Sequence, residues 1–539
     1  MKGVVVCPQP RAAEEGSKIL ARGGNAIDAA VACAFTQAIV TPTMCGVGGF
    51  GTMLIYLGKT GEKLFLDFHG RAGSKVTPDM WQDRIIKLSS DTYLLEGHIN
   101  IIGHTSVSIP GTVKGLSEAL TKYGSGKISW REVIEPAIPY AEEGVPVDTL
   151  QAAAYTAPAT FPGFPTPYET INRTPGSIKI WYKEDGSPYK EGEKRPNKDY
   201  ARTLRRLIGE GPDSFYTGSI AKEIVTDMEE NGGFITADDL KNYKTRTYTP
   251  LQGSYRGYDV LTNRPPGGGV TLLALLNILE GYPLDKIYPD SLEYIWCLVQ
   301  ALRAVHSDRV QYLGDEEFSD IPVDMLISKE RAAYWRKKID AEESIRVPKG
   351  QLQPKHTTHV CTMDEEGNAV SLTHTNGTHG GCATPGLGFL YNNTLLQFYY
   401  VPGLPNSIEP GKARETGMCP TMLFKDEGLS MVVGALGGFT IPTAVALSII
   451  NVADHGMTIE EAVSAPRVHC EGGLIELEGR IRADVAEELR KRGNPVSHMP
   501  AGYAEGMAYA HGIRVDPTTR KWQAGADPRA DGGVAFSHV

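Results

Sequence analysis

The chain is punctuated throughout. Sixty glycines and 35 prolines are spread over 539 residues, so the fold must be assembled from many short elements. Between these breaks the pattern is mixed. Helical spacing covers 10–22 and 25–40, separated by Gly23-Gly24, a C-cap signal. The second of these is alanine-rich nearly all round, which predicts burial. Strand-like runs follow at 50–57 and 63–68. Further helices are expected at 112–123, 131–143, 218–231, 290–312, 328–340, 440–454, 458–464 and 482–492. Further strands are expected at 357–363, 369–375, 421–425, 430–435 and 474–478. The stretch 155–200, rich in Pro, Thr, Gly and Lys, reads as a surface excursion with no part in the core. There is no repeat and no regular strand–helix alternation. Stacked sheets covered by helices suit this order; a doubly wound parallel sheet does not.

Composition narrows the function. Apolar residues make up 41% and charged residues 22%, the balance of a globular protein. Fifty-four cations against 64 acids give a net charge of −10, and no basic block occurs. Nucleic acid and anionic membrane are therefore poor partners, because both need clustered cations. Eight cysteines without a C-x-x-C pair argue against a disulfide framework and a cysteine zinc site. The N-terminal Met-Lys-Gly-Val-Val-Val-Cys-Pro is too short an apolar stretch for a signal sequence, and 29–40 is interrupted by Thr36 and Gln37. A cytoplasmic protein that spans no membrane is the expectation.

Three clusters of residues could carry chemistry. Gly46-Val-Gly48-Gly-Phe-Gly51 has the dinucleotide G-x-G-x-x-G spacing. It follows a helix and precedes a strand, the wrong order for that fingerprint, so a tight turn is its reading. Histidines gather at 356, 359, 374 and 379, without carboxylates or thiolates at zinc spacing. They read as hydrogen-bonded side chains, and neither metal nor cofactor is called for. The third is His356-Thr357-Thr358-His359 with the hairpin that follows, whose turn is Glu365-Glu366-Gly367-Asn368. Pairing Asp364 with Ala369 would set Thr358 opposite Thr375 and Thr357 opposite Asn376, leaving the Thr357 and Thr375 hydroxyls side by side. Periodicity alone makes this a threonine-rich strand.

Thr357-Thr358-His359, Asp364, Gly367-Asn368-Ala369-Val370-Ser371 and Thr373-x-Thr375 resemble the nucleophile region of the γ-glutamyltransferase (γ-glutamyltranspeptidase) family. Other stretches agree in order along the chain: Gly23 to Ala32, Ile109-Pro110-Gly111-Thr112-Val113, Asn231-Gly232-Gly233-Phe234, Arg264-Pro265-Pro266-Gly267, Asp308-Arg309, Gly437-Gly438 and Asp527-Pro528-Arg529. The resemblance implies an α+β fold, the four-layer αββα sandwich of N-terminal-nucleophile hydrolases. It implies self-cleavage between His356 and Thr357 into a large subunit, 1–356, and a small one, 357–539, together one intertwined unit. Thr357 would be the nucleophile, Thr375 its hydroxyl partner, and Gly437 and Gly438 the oxyanion donors. The chemistry is coherent. A threonine hydroxyl needs a base; cleavage turns the Thr357 amide into an α-amine with a reference pKa of about 7.7–8.0, where a general base works best.

The recognition positions depart from the family. Its carboxylate-binding arginine aligns with His69 in Asp67-Phe68-His69-Gly70-Arg71; in a strand, Arg71 would share the face of His69 and could stand in. The acids expected in an N-N-x-x-D-D-F segment are absent from Asn392-Asn393-Thr394-Leu395-Leu396-Gln397-Phe398. Paired serines become Thr416-Gly417, and the asparagine two residues past Thr375 becomes Gly377, with Asn376 one place earlier. The segment from Phe398 to Lys412 is shorter than in the family's transpeptidases, which predicts a more open pocket. His69, Arg71, Asn376, Gln397 and Thr416 are thus the expected substrate contacts. A small-molecule amide without a free α-amino group is the expected substrate, since an ammonium buried without a carboxylate binds poorly. Relatives outside the transpeptidases act on oxamate-type amides and the acyl side chains of β-lactams. Two other readings stay open: a true γ-glutamyl hydrolase or transferase acting on glutathione-type amides, and an unprocessed binding or scaffold protein.

Overall fold

Alternating runs at 50–68 and 358–375 build the middle of a sheet. Phe50–Leu57 pairs antiparallel with Glu62–Phe68 on one side and Ala369–Thr375 on the other, and Ala369–Thr375 pairs with Thr358–Asp364. Gly3–Cys7 and Gly533–Ser537 extend one edge and Arg246–Tyr248 the other, giving seven strands. Every residue of Thr358–Asp364 and Ala369–Thr375 is buried, so both faces of this hairpin are covered. A second antiparallel sheet has six strands in the order Trp522–Ala526, Tyr509–Val515, Gly428–Leu436, Thr421–Lys425, Tyr258–Thr262 and Leu251–Tyr255. The computed structural model describes residues 1–87, 93–159, 162–348, 356–426 and 428–538.

Strand side chains alternate between two apolar clusters. Val4, Val6, Leu54, Phe65, Cys361 and Met363 of the first sheet pack with Leu261, Met422, Phe424, Val432 and Ile513 of the second. The intervening residues of the first sheet, among them Val5, Met53, Ile55, Val360 and Val370, pack with Pro10–Ala21, Ala26–Val40 and Thr112–Tyr123. Leu423, Met431 and Val433 of the second sheet pack with Gly269–Leu279, Leu292–Tyr312 and Thr440–Ala453. The chain is therefore a mixed helix-and-sheet protein. Ala26–Val40 shows why sequence and burial agree: all its residues but Val40 are buried. Its start is fixed by a capping box in which the Asn25 side chain accepts from the Asp28 amide and Asp28 accepts from the Asn25 amide.

Two expectations are corrected. The helix read over 131–143 is broken into Trp130–Ile134 and Ala137–Glu143, because Pro136 lacks the amide an unbroken helix requires. The stretch 155–200, of which 160 and 161 lie outside the described residues, does contribute to the core. Ile171, Ile180 and Trp181 pack with Ala383 and Leu390, and Tyr200 joins the main cluster. Its prolines open helices rather than loops: Pro167 and Pro175 follow the capping residues Thr166 and Thr174.

Candidate active site

The hairpin turn decides which hydroxyls meet. The Asp364 amide donates to Asn368 O (3.1 Å), and the Gly367 amide donates to Asp364 O (3.1 Å). Gly367 has φ +82°, the left-handed residue that closes a three-residue loop with a bulge. The Asp364 carboxylate accepts the amides of Ala26, Glu366 and Asn368, locking the turn to the first helices. Met363, not Asp364, therefore faces Ala369, and Thr358 faces His374. The pairing expected from sequence is shifted by one residue. Continuing the observed register sets Thr357 opposite Thr375 instead of Asn376.

The Thr357 and Thr375 hydroxyl oxygens are 3.3 Å apart. Both engage the carbonyl oxygen of His356, to which Thr357 Oγ1 donates at close range and Thr375 Oγ1 donates at 3.0 Å. The Gly377 amide donates to Thr375 Oγ1 (2.9 Å) and fixes its rotamer. The His356 ring is buried, and burial pushes it below the ordinary histidine range, so it is neutral. The nearby histidines of the hairpin are hydrogen-bonded: His359 Nδ1 lies 2.9 Å from Thr373 Oγ1 and His374 Nε2 lies 2.8 Å from Gln37 Oε1.

Facing the threonines, the chain leaves Gly428–Leu436 and turns through Gly437 (φ +135°) and Gly438 (φ +67°) into Thr440–Ala453. Only glycine enters both conformations without strain. Thr440 Oγ1 donates to Gly437 O (2.6 Å) and pins the turn. Neither the Gly437 nor the Gly438 amide finds an acceptor among the described residues. A turn with two free N–H groups beside a hydroxyl is suited to a developing oxyanion.

One cleft gathers His356, Thr357, Thr375, Gly438, Gln397 and Thr416, and Gly437 adjoins it in sequence. Gly377, Thr378, Asn393, Leu396, Arg414, Gly417, Met418 and Ile441 complete the lining. No carboxylate belongs to it among the described residues. In the uncut chain the cleft is nearly closed rather than open, with Thr357 only 5% exposed.

Three expected contacts lie elsewhere. Glu62–Phe68 ends before His69 and Arg71, so the shared-face argument does not reach them. The Arg71 guanidinium lies 3.1 Å from Asp67 and 3.5 Å from Asp315. His69 Nδ1 lies 2.5 Å from Asp67 Oδ1. Burial by itself would raise the Asp67 carboxyl; the charges of His69 and Arg71 and the His69 hydrogen bonds outweigh it and hold the group below the ordinary carboxylate range. Asn376 is turned away, donating its side chain to Pro42 O (3.2 Å) and its amide to Met44 O (2.9 Å). The residue that sequence reasoning missed is Arg414. Beside Glu415 it reads as half of a surface ion pair, and nothing local signals its burial. The glycines at 46–51 form the turn into Phe50–Leu57, where the Gly49 amide donates to Gly46 O (3.0 Å) and Gly48 O accepts from the Asn392 amide (3.0 Å).

The Gamma-glutamyltranspeptidase family profile matches residues 12–537. Acylase ACY 1 proenzyme from Pseudomonas sp. (strain V22) is 36% identical over 518 residues, 94% of this chain and 90% of that protein. Glutathione hydrolase proenzyme from Escherichia coli (strain K12) is 33% identical over 550 residues, 98% of this chain and 90% of that protein. Among solved structures, cephalosporin acylase from Bacillus halodurans superimposes with a TM-score of 0.87 at 28% identity, covering 100% of this chain and 96% of that one. Helicobacter pylori gamma-glutamyltranspeptidase gives a TM-score of 0.55 at 35% identity over 61% of this chain and 90% of that one. Matches of this extent make the chain a member of the gamma-glutamyltranspeptidase family, an enzyme of the N-terminal-nucleophile class of hydrolases and transferases.

Proposed function

We propose that the chain is a precursor that cuts itself between His356 and Thr357 and then hydrolyses an amide whose acyl part has no free α-amino group. The observation that carries this reading is the paired Thr357 and Thr375 hydroxyls on the His356 carbonyl, in a cleft whose lining holds no acid among the described residues. Thr357 Oγ1 attacks the His356 carbonyl carbon, forming an ester and freeing the Thr357 α-amine. Water cleaves the ester to a His356 carboxylate and restores the hydroxyl. The products are a large subunit, 1–356, and a small one, 357–539, held together by strand pairing such as that of Gly3–Cys7 with Thr358–Asp364. The apolar clusters described above fit the αββα layering of such hydrolases.

In turnover the α-amine takes the Thr357 Oγ1 proton and the oxygen attacks the substrate carbonyl. The Gly437 and Gly438 amides donate hydrogen bonds to the negatively charged carbonyl oxygen, the proton passes to the departing amine, and water releases the acyl group. An α-ammonium on the acyl part would enter a cleft with no carboxylate to meet it, at a cost of several kcal/mol. Relatives named acylase support this reading; relatives named glutathione hydrolase favour a γ-glutamyl substrate instead.

Intact mass of the purified protein under denaturing conditions tests the first half. Two fragments meeting at His356–Thr357 are expected, and Thr357→Ala should give one uncut, inactive chain. Normal cleavage in that variant would refute the nucleophile. For the substrate, slow or absent glutathione turnover by the cleaved protein is expected, and robust glutathione hydrolysis would move the γ-glutamyl reading to the front.

A further inference from the structure

Four of the six buried arginines are matched to carboxylates. Arg71 meets Asp67, Arg309 meets Glu415, Arg467 meets Asp527, and Arg529 meets both Glu478 and Asp527. The other two meet none among the described residues: Arg195 donates to Gln151 Oε1 (2.8 Å) and lies over the Trp181 ring, whereas Arg414 lines the cleft. Arg414 is 5% exposed and pairs with no carboxylate among the described residues. Its Nη1 donates to the backbone oxygen of Glu415 (2.8 Å), its buried Nε has no partner, and its guanidinium lies 5.5 Å from the centre of the Phe50 ring. The Glu415 carboxylate is engaged by Arg309. Burial pushes the Arg414 guanidinium down to about 9, and the nearby Glu415 charge offsets this only in part. An unpaired buried charge is costly, and this one lines the cleft that holds Thr357 and Gly438.

We propose that Arg414 receives a carboxylate of the substrate, carried within a few carbons of the scissile carbonyl. This rests on the reading of that cleft as the site of amide hydrolysis. A guanidinium binds a carboxylate through paired N–H groups, and no acid in the lining would repel it. The Thr416 hydroxyl, which accepts the Met418 amide (2.8 Å), keeps its own proton available to the same ligand. An anionic substrate therefore meets one cation and one hydroxyl, whereas a cationic one meets only repulsion.

The test uses the self-cleaved protein and three series of anilides. Dicarboxylic acid mono-p-nitroanilides place the carboxylate on the acyl side, alkanoyl p-aminobenzoates place it on the amine side, and alkanoyl p-nitroanilides are neutral. The wild type should favour one charged series over the neutral one by about 100-fold in kcat/KM, and that series identifies the side. In Arg414→Met the ratio should collapse toward one, chiefly through KM, with Arg414→Lys in between. A ratio that survives in Arg414→Met overturns the proposal. So does a fall of charged and neutral substrates by one common factor. Calorimetric binding of adipate to wild type and Arg414→Met gives a readout independent of turnover, and equal affinities overturn the proposal even if no anilide is cleaved. If instead the chain is never cut but adipate binding still needs Arg414, the failure belongs to the Thr357 reading alone.

Discussion

The segments 67–72 and 412–416 lie side by side, and each buries an arginine. The Ala72 amide donates to Lys412 O (2.9 Å), the Gly411 amide donates to Ala72 O (2.8 Å), and Arg71 bridges to Ala413. Arg71 turns to Asp67 and Asp315; Arg414 turns to the cleft and forms no ion pair among the described residues. The Ala413 amide donates to Asp315 Oδ2 (2.9 Å), so the acid that neutralises Arg71 also holds the segment carrying Arg414. The lesson is that proximity to a site does not assign a role to a charged side chain. Pairing and place together do: Arg71 is matched to acids and is architecture, whereas Arg414 is unmatched and lines the cleft.

The largest expected effect breaks the Arg71 side of this comparison. Arg71→Met strands the Asp67 and Asp315 carboxylates in the interior and should lower unfolding free energy by about 3 kcal/mol or more, read as a fall in the urea midpoint. A loss below about 1 kcal/mol would show that His69, beside Asp67, and Arg246, 3.4 Å from Asp315, neutralise both acids without it.

Sequence and structure part company along the same line. The Thr357–Thr375 pair was legible because the two residues sit on one hairpin, where alternation and a short turn suffice. The register was missed by one because Gly367 adds a bulge that alternation does not reveal. Gly437 and Gly438 were legible as a pair before a helical run. Recognition was not legible. Arg71 shares a register argument with His69 only if the strand continues, and it stops at Phe68. Arg414 is brought to the cleft by contacts from distant segments, and its burial depends on Phe50, 364 residues earlier in the chain. The helices at Pro167 and Pro175 were hidden because proline at a helix start and proline in a loop look alike without the caps.

A pH series sharpens the comparison from the catalytic side. Burial pushes His374 and His379 down to about 3 and His511 down to about 4, against about 6.5 when unfolded. The unfolded chain alone takes up these protons as pH falls below 6.5. Stability is therefore fully present above that value and is lost as pH drops toward the folded values. Asp67 has the opposite reference: its stabilisation is intact above about 3.9 and drains only below it. Between pH 6.5 and 4.5 these histidines titrate in the unfolded chain alone, while the Asp67–Arg71 pair is silent. Urea midpoints should fall across this window, and His374→Gln should flatten the slope by up to about 1.4 kcal/mol per pH unit. An unchanged slope would mean that His374 takes up its proton without unfolding.

The smallest expected effect is the most telling. Arg414→Met removes a cation that burial disfavours and that the Glu415 charge offsets only in part. It gives up one hydrogen bond to the Glu415 carbonyl, worth about 1 kcal/mol, and recovers the desolvation of a charge. The urea midpoint should therefore stay level or rise slightly, within about 1 kcal/mol of wild type. A loss as large as that of Arg71→Met would make Arg414 architecture too and erase the contrast between the two segments. A level or higher midpoint, together with the lost substrate preference, would mean that the protein carries an unmatched charge at some expense to its own stability. Such a charge persists where function requires it, and here that function is to hold the group a substrate brings.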